Sequence, residues 1–398
     1  MLTTLAVANY RSINQLVLPL QRLNLITGPN GSGKSNLYKA LRLLAETARG
    51  GVVNALAGEG GLESTFWAGP EQITRRMRQG EVAVQGGPRK GAKRLQLGFA
   101  GEDFGYSIGL GLPDSSGHYM LPGQSTPIAS RFTLDPLIKR ECIWAGAAYR
   151  PASLLVDRQG PMVRAREGRQ WEVLSQHTSS GDSLFDQVGN LRSSPEVLHL
   201  REQIRGWRFY DHFRTDAQAP ARRPQLGTRT PVLHHDGRDL AAALQTIIEV
   251  GDQDALHATI SDAFPGARLE IDAVPGGLFA VKFYQEGLLR PLSAAELSDG
   301  TLRYLLLVAA LLTPRPPTMM VLNEPETSLH PDLLPALARL IIRATEQCQV
   351  WVVSHARRLI AALEQDARCN SIVLEKHLGQ TQVQGQGLLD TPAWHWPE

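Results

Sequence analysis

Residues 28–36 read Gly-Pro-Asn-Gly-Ser-Gly-Lys-Ser-Asn, which sets three glycines, a lysine and a hydroxyl at a spacing suited to a chain of phosphates. Gly28, Gly31 and Gly33 open backbone conformations closed to other residues, so successive N–H groups are able to converge on phosphate oxygens. Lys34 is then placed to reach the β- and γ-phosphates of a nucleotide, and the Ser35 hydroxyl to ligate Mg²⁺. Pro29, Asn30, Ser32 and Asn36 complete the loop. Two elements must frame it. The apolar run at 23–27 reads as a strand, and residues 34–44 read as a helix whose positive dipole end faces the phosphates. A plain turn would need neither.

A second set of chemistry-bearing residues lies between 297 and 355. Leu297-Ser298-Asp299-Gly300 precedes an apolar helical run. Ser298 suits an N-cap, and Gly300 lets a second nucleotide's phosphates approach that helix end. By itself this is also an ordinary helix start. Met319-Met320-Val321-Leu322 reads as a strand buried on both faces of a parallel sheet, with Asn323 and Glu324 emerging at its carboxyl end, where such sheets place ligands. Glu324 suits the task of polarising an attacking water. Thr327-Ser328-Leu329-His330-Pro331 leads into a helix. Residues 349–353 form another apolar strand, with His355 just beyond it and able to hydrogen-bond a γ-phosphate.

The intervening chain differs in pattern. Short alternating runs at 81–85, 94–99, 106–110 and 154–156, separated by Gly, Pro, Asp and Ser, suggest a β-rich lobe up to about residue 175. Helical spacing follows at 183–190, 195–205 and 239–250, where Leu240, Leu244, Ile247 and Ile248 share a face. The expected fold class is therefore α/β: a P-loop nucleoside-triphosphatase core, residues 1–50 and 290–398, split by a large mixed α/β insertion at 51–289.

Bulk properties narrow the partners. Forty-one basic against 39 acidic residues give a net charge of only +2, so any contact with DNA must come from a local patch. Arg222, Arg223 and Arg229 in the proline-bracketed stretch 217–231, with Arg201, Arg205 and Arg208 before it, are the candidates for such a face; a solvated linker is the alternative. Cys142, Cys348 and Cys369 are isolated, which argues against a zinc site or disulfide framework and fits a reducing cytoplasm. The start of the chain lacks a secretion-signal pattern, and its longest apolar stretch, residues 304–312, is short of the roughly 20 residues a membrane span requires.

The order of these motifs resembles the ABC-type ATPase heads of the RecF, SMC and OLD proteins. The Asn9-Tyr10-Arg11-Ser12-Ile13 stretch is similar to the N-terminal signature of RecF-like proteins, and Asn-Glu-Pro-Glu-Thr-Ser-Leu-His-Pro at 323–331 to stand-alone RecF-like ATPases. The resemblance covers residues 1–50 and 290–376. It implies a Walker A site at 28–36, a Walker B pair at Asn323 and Glu324, a signature motif at 297–300, a D-loop at 326–330 and a switch histidine at His355. It also implies ATP and Mg²⁺ as ligands, with Ser35 and Asn323 on the metal side, and a homodimer closing around two ATP molecules, with Ser298 and Gly300 serving the partner's nucleotide. DNA, or a separate nuclease or effector protein, is the expected target, in DNA repair or anti-phage defence.

Two departures stand out. Asn323 occupies the place where most such heads carry Asp, which predicts slow turnover or an ATP-gated clamp that barely hydrolyses. No Q-loop glutamine is evident beyond the candidate Gln72. A transporter subunit is disfavoured by the long stretch between Lys34 and Ser298, and a fused nuclease by the short stretch after His355.

Overall fold

The computed structural model describes residues 1–70, 73–84, 93–113, 118–119, 128–129, 132–186, 194–387 and 390–397. The chain divides into two compact units. One comprises Met1–Leu20, Gly28–Gly206 and Val373–Glu398, the other Gln21–Thr27 and Trp207–Ile372.

The first unit is built on an eight-stranded antiparallel sheet. Its strands run in the order Gln170–Ser175, Met162–Glu167, Leu154–Gln159, Leu137–Ala145, Phe104–Gly111, Leu95–Gly101, Leu2–Tyr10 and Ile13–Pro19. The central strands 95–101 and 104–111 are each buried at all but one position, so both of their faces are covered. Gly105 leaves the space that the ring of Trp144 fills. Beneath the sheet, Glu141 and Arg158 are fully buried and 3.3 Å apart. Tyr106 and Ser183 each donate to Glu141 at 2.6 Å, and Leu184 donates its N–H at 2.8 Å, so the buried carboxylate has its acceptor sites filled. A helix, Lys34–Thr47, buries Leu37, Leu41 and Leu44. The helix Pro195–Arg205 agrees with the periodicity at 195–205.

Among the described residues, 81–84 form no strand and 183–186 form a turn, so the short pattern expected at 81–85 and the helix expected at 183–190 are corrected there; residues 85 and 187–190 lie outside the described residues. A few apolar positions in a short polar segment are too weak a periodicity to override the turn formers around them.

The second unit holds a parallel sheet in the order Arg208–Tyr210, Met319–Asn323, Gln349–Val353, Leu23–Thr27. Val350 lies opposite Leu23 and Val353 opposite Ile26, so strands from the two ends of the sequence are neighbours here. The apolar runs at 319–322 and 349–353 are buried at every position, as strands covered on both faces are. The helix Asp299–Leu311 is buried at every position from Leu302 to Leu311, which explains why its sequence shows no polar face. Residues 207–289 also pack in this unit: Arg208–Tyr210 is an edge of the parallel sheet, and Leu240–Val250 packs into the core around Leu305 and Leu340. The stretch 217–231, expected as an irregular loop, instead contains a 3₁₀ turn at Pro220–Arg222 and a short strand, Gln225–Leu226, paired with Leu278 and Phe279.

Candidate nucleotide site

The strand Leu23–Thr27 leads directly into the loop, where Gly28, Gly31 and Gly33 all adopt positive φ, at 137°, 79° and 109°. Glycine is required twice over. A Cβ on Gly28 would collide with the carbonyl oxygen of Leu374, and one on Gly33 would collide with the Thr381 hydroxyl. At Gly31 a Cβ would meet nothing within 4 Å, so that side of the loop is open. The helix begins at Lys34 with no side-chain cap and no acidic residue in its first turn, which leaves its amide N–H groups for an external anion. Lys34 Nζ donates to the carbonyls of Gly28, at 2.6 Å, and Pro29, at 3.1 Å, which draws the ammonium back over the loop. Ser32 Oγ is buried and has no protein partner.

Pro29, Asn30 and Ser35 are exposed or nearly so. Asn36 is not aimed at a ligand: its Nδ2 donates to Ser12 Oγ at 2.7 Å. The glycine conformations, the uncapped helix and the positioned lysine fit a polyphosphate.

The other motif residues belong to the second unit. Asn323 ends its strand opposite Val353. Glu324 then turns into the left-handed region at φ 48°, a conformation costing a non-glycine residue on the order of 1–3 kcal/mol. Two contacts hold it there. Its N–H donates to Val353 O at 2.8 Å, and its carbonyl accepts from Arg303 at 3.0 Å. Arg303 is buried on the helix Asp299–Leu311; burial pulls its guanidinium below the ordinary value while Glu326 and Glu324 oppose that shift.

Glu326 is the residue whose placement sequence reasoning missed. It is 8% exposed, and its Oε1 accepts from Ser354 Oγ at 2.7 Å and from the N–H groups of His355, at 3.0 Å, and Ala356, at 3.2 Å. It thus ties the turn after Asn323 to the segment that presents His355. The His355 ring is largely exposed, with Nδ1 3.5 Å from Glu326 and 3.7 Å from Glu324. These are distances for charge interaction, longer than a good hydrogen bond. One imidazole and two carboxylates are therefore gathered at the carboxyl ends of adjacent parallel strands. Asn323, the residue just before Glu324, offers a neutral oxygen ligand of the hard kind Mg²⁺ accepts.

Ser298 caps its helix, its Oγ accepting from Thr301 N–H at 3.1 Å. Gly300 has a reason within its own chain: a Cβ there would lie 2.7 Å from the carbonyl of Ser328, itself at φ 64°. The segment before this helix is held by Arg222, which is 9% exposed. Its guanidinium donates to the carbonyls of Thr215, Asp216, Ala294, Ala295 and Leu297, and to Asp299 Oδ1 at 2.6 Å. Arg222 is thereby removed from any basic face. Of the other candidates, Arg223 bonds Gln218, Arg229 lies 3.6 Å from Glu249, and Arg201 and Arg205 belong to the other unit. With Arg222 buried, the six arginines do not all contribute to an exposed face. Gln72 lies outside the described residues.

No curated protein matches this chain. Among solved structures, it is similar to an Smc head bound to the C-terminal winged-helix domain of ScpA, at 13% identity over 98% of both chains with a TM-score of 0.48. It is also similar to the SMC head domain from Thermotoga maritima, at 13% identity over 97% of this chain and 99% of that one with a TM-score of 0.46. At these values the likeness decides nothing about what the chain binds. The family model described as "AAA domain, putative AbiEii toxin, Type IV TA system" matches residues 23–137 and 166–361. That match takes in the phosphate loop, the parallel sheet and the Glu324–His355 segment, the parts from which a P-loop ATPase head is made. The chain belongs to this AAA family, and its fold is that of a P-loop NTPase.

Proposed function

We propose that the protein binds and hydrolyses ATP with Mg²⁺, dimerises on ATP, and uses that cycle to act on DNA or on a nuclease or effector partner, in DNA repair or anti-phage defence. The observation that supports hydrolysis best is the Glu324–Glu326–His355 group. Arg303 and the neighbouring strand fix the backbone of Glu324 in a left-handed turn at the strand end, which sets the direction in which a base acting on water leaves the chain. Mg²⁺, when bound, would neutralise charge developing on the transferred phosphoryl group. The loop amides and Lys34 hold the phosphates, Ser35 and Asn323 supply metal-side oxygens, Glu324 orients and deprotonates water, and His355 donates to the terminal phosphate. Ser298, exposed at its helix start, serves the partner's nucleotide. Gly300 is already needed for packing on Ser328, so its part in dimerisation is secondary.

The domain division expected from sequence, residues 1–50 and 290–398 as two halves of the head with 51–289 inserted, belongs to the same proposal: the pairing of strands 23–27 and 349–353 supports the joining of the two ends, while residues 207–289 pack in the unit that holds this pair. The alternative to a turning-over ATPase is an ATP-gated clamp kept closed by the neutral Asn323. Steady-state phosphate release separates the two. Wild type should release phosphate, and Glu324→Gln should lower the rate by about 100-fold or more while leaving nucleotide affinity within about two-fold. Equal turnover in the two proteins would remove Glu324 from catalysis, and no release by wild type would select the clamp.

A further inference from the structure

The phosphate loop is held from outside by two hairpins. The first turns at Arg11 and Ser12, between paired residues Tyr10 and Ile13, with Arg11 at φ 49° and its guanidinium 2.7 Å from Glu59. The second turns at Leu378 and Gly379, between paired residues His377 and Gln380, and brings Thr381 beneath the loop. Thr381 is 1% exposed. Its Oγ1 donates to Ser32 O at 2.8 Å and lies 2.7 Å from Ser12 Oγ, which itself accepts from Asn36 Nδ2 at 2.7 Å. A hydroxyl has one proton. Since that of Thr381 is committed to Ser32, Ser12 must donate to Thr381, and the four groups form a single directed chain: Asn36 amide to Ser12, Ser12 to Thr381, Thr381 to the loop carbonyl. The backbone repeats the contact, Thr381 N–H donating to Ser12 O at 2.8 Å.

We propose that this relay positions the phosphate loop, making Ser12 and Thr381 positioning residues for nucleotide binding although neither lies in the Gly28–Asn36 motif. The carbonyl of Ser32 is turned toward Thr381, and the absent side chain of Gly33 lets Thr381 come close enough to take it. With the hydroxyl gone, that buried carbonyl and Ser12 both lose a partner, and the loop gains freedom that binding would then have to remove.

The inference rests on the nucleotide-binding reading above. Its test is titration of the full-length protein with a fluorescent ATP analogue in magnesium buffer, comparing wild type, Thr381→Val, which keeps the shape and removes the hydroxyl, and Thr381→Ser, which keeps the hydroxyl. The expected result is a Kd about ten-fold higher for Thr381→Val, with Thr381→Ser within about three-fold of wild type. Ser12→Ala, at the other end of the relay, should weaken binding in the same direction. In turnover assays the loss should fall on KM, with kcat nearly kept. Wild-type affinity in a folded Thr381→Val would overturn the relay and leave the nucleotide reading standing. Equal losses in Thr381→Val and Thr381→Ser would overturn it too, since packing alone would then be the cause. Failure of wild type itself to bind would overturn both. Should Thr381→Val not fold, Ser12→Ala decides, and unchanged affinity there rejects the proposal.

Discussion

The phosphate loop and the signature segment before Ser298 are both held by side chains far away in sequence, yet by opposite chemistry. At the phosphate loop the lock is neutral: an amide and two hydroxyls, with Ser12 and Thr381 separated by 369 residues. At the signature segment it is a single cation, Arg222, spread over carbonyls as distant as Leu297 and over the Asp299 carboxylate. The difference follows from what each segment must do. A loop that recruits a polyanion keeps its positive character, in Lys34 and the helix N-terminus, for the ligand, so its support is uncharged. The carbonyls of Ala294, Ala295 and Leu297 face Arg222 and lie outside any strand, and a guanidinium, with five donors in a fixed fork, satisfies all three at once.

Breaking the cationic lock should have the largest effect. Arg222→Met keeps much of the side-chain volume but strands buried carbonyls, and should destabilise the protein by about 2–4 kcal/mol, read as a lower midpoint in denaturant. A loss below about 0.5 kcal/mol would show that water replaces the guanidinium and that the lock is dispensable. Lys34→Ala probes the other side of the comparison. It should weaken ATP binding by about 10- to 100-fold in a direct titration while leaving the unfolding midpoint close to that of wild type, because Lys34 supports the ligand and not the fold. Unchanged affinity would reject the phosphate-loop assignment, and a fall in stability like that of Arg222→Met would erase the distinction between the two regions.

The smallest effect separates the cap from dimerisation. Ser298→Ala and Ser298→Arg both remove the bond to Thr301 N–H and should each cost about 1 kcal/mol of stability. Only the arginine should abolish the ATP-dependent dimer, monitored by light scattering in a Glu324→Gln background. If Ser298→Ala abolishes it equally, helix capping and not obstruction is responsible; an intact dimer in both rejects the face-to-face arrangement.

The local chemistry of this protein is written in adjacent residues. Glycines that must take positive φ, a lysine at the first turn of a helix and apolar runs that can only be buried strands are properties of a few consecutive positions, so the loop at 28–36, the strands at 319–323 and 349–353 and the helix at 239–250 are legible without coordinates. Sequence also marked Ser12, within Asn9–Ile13, as unusual, but not why. What only the tertiary structure decided is which polar groups find one another. Glu326 reads as part of a D-loop and is in fact the acceptor for three donors around His355. Arg222 reads as a solvated or DNA-facing arginine and is buried. Thr381 reads as nothing. Hydrogen bonds have short range and demand direction, so their partners are fixed only when the sheets bring distant segments within 3 Å. A chain's periodicity says which faces are buried; it does not say which donor a buried carbonyl will meet.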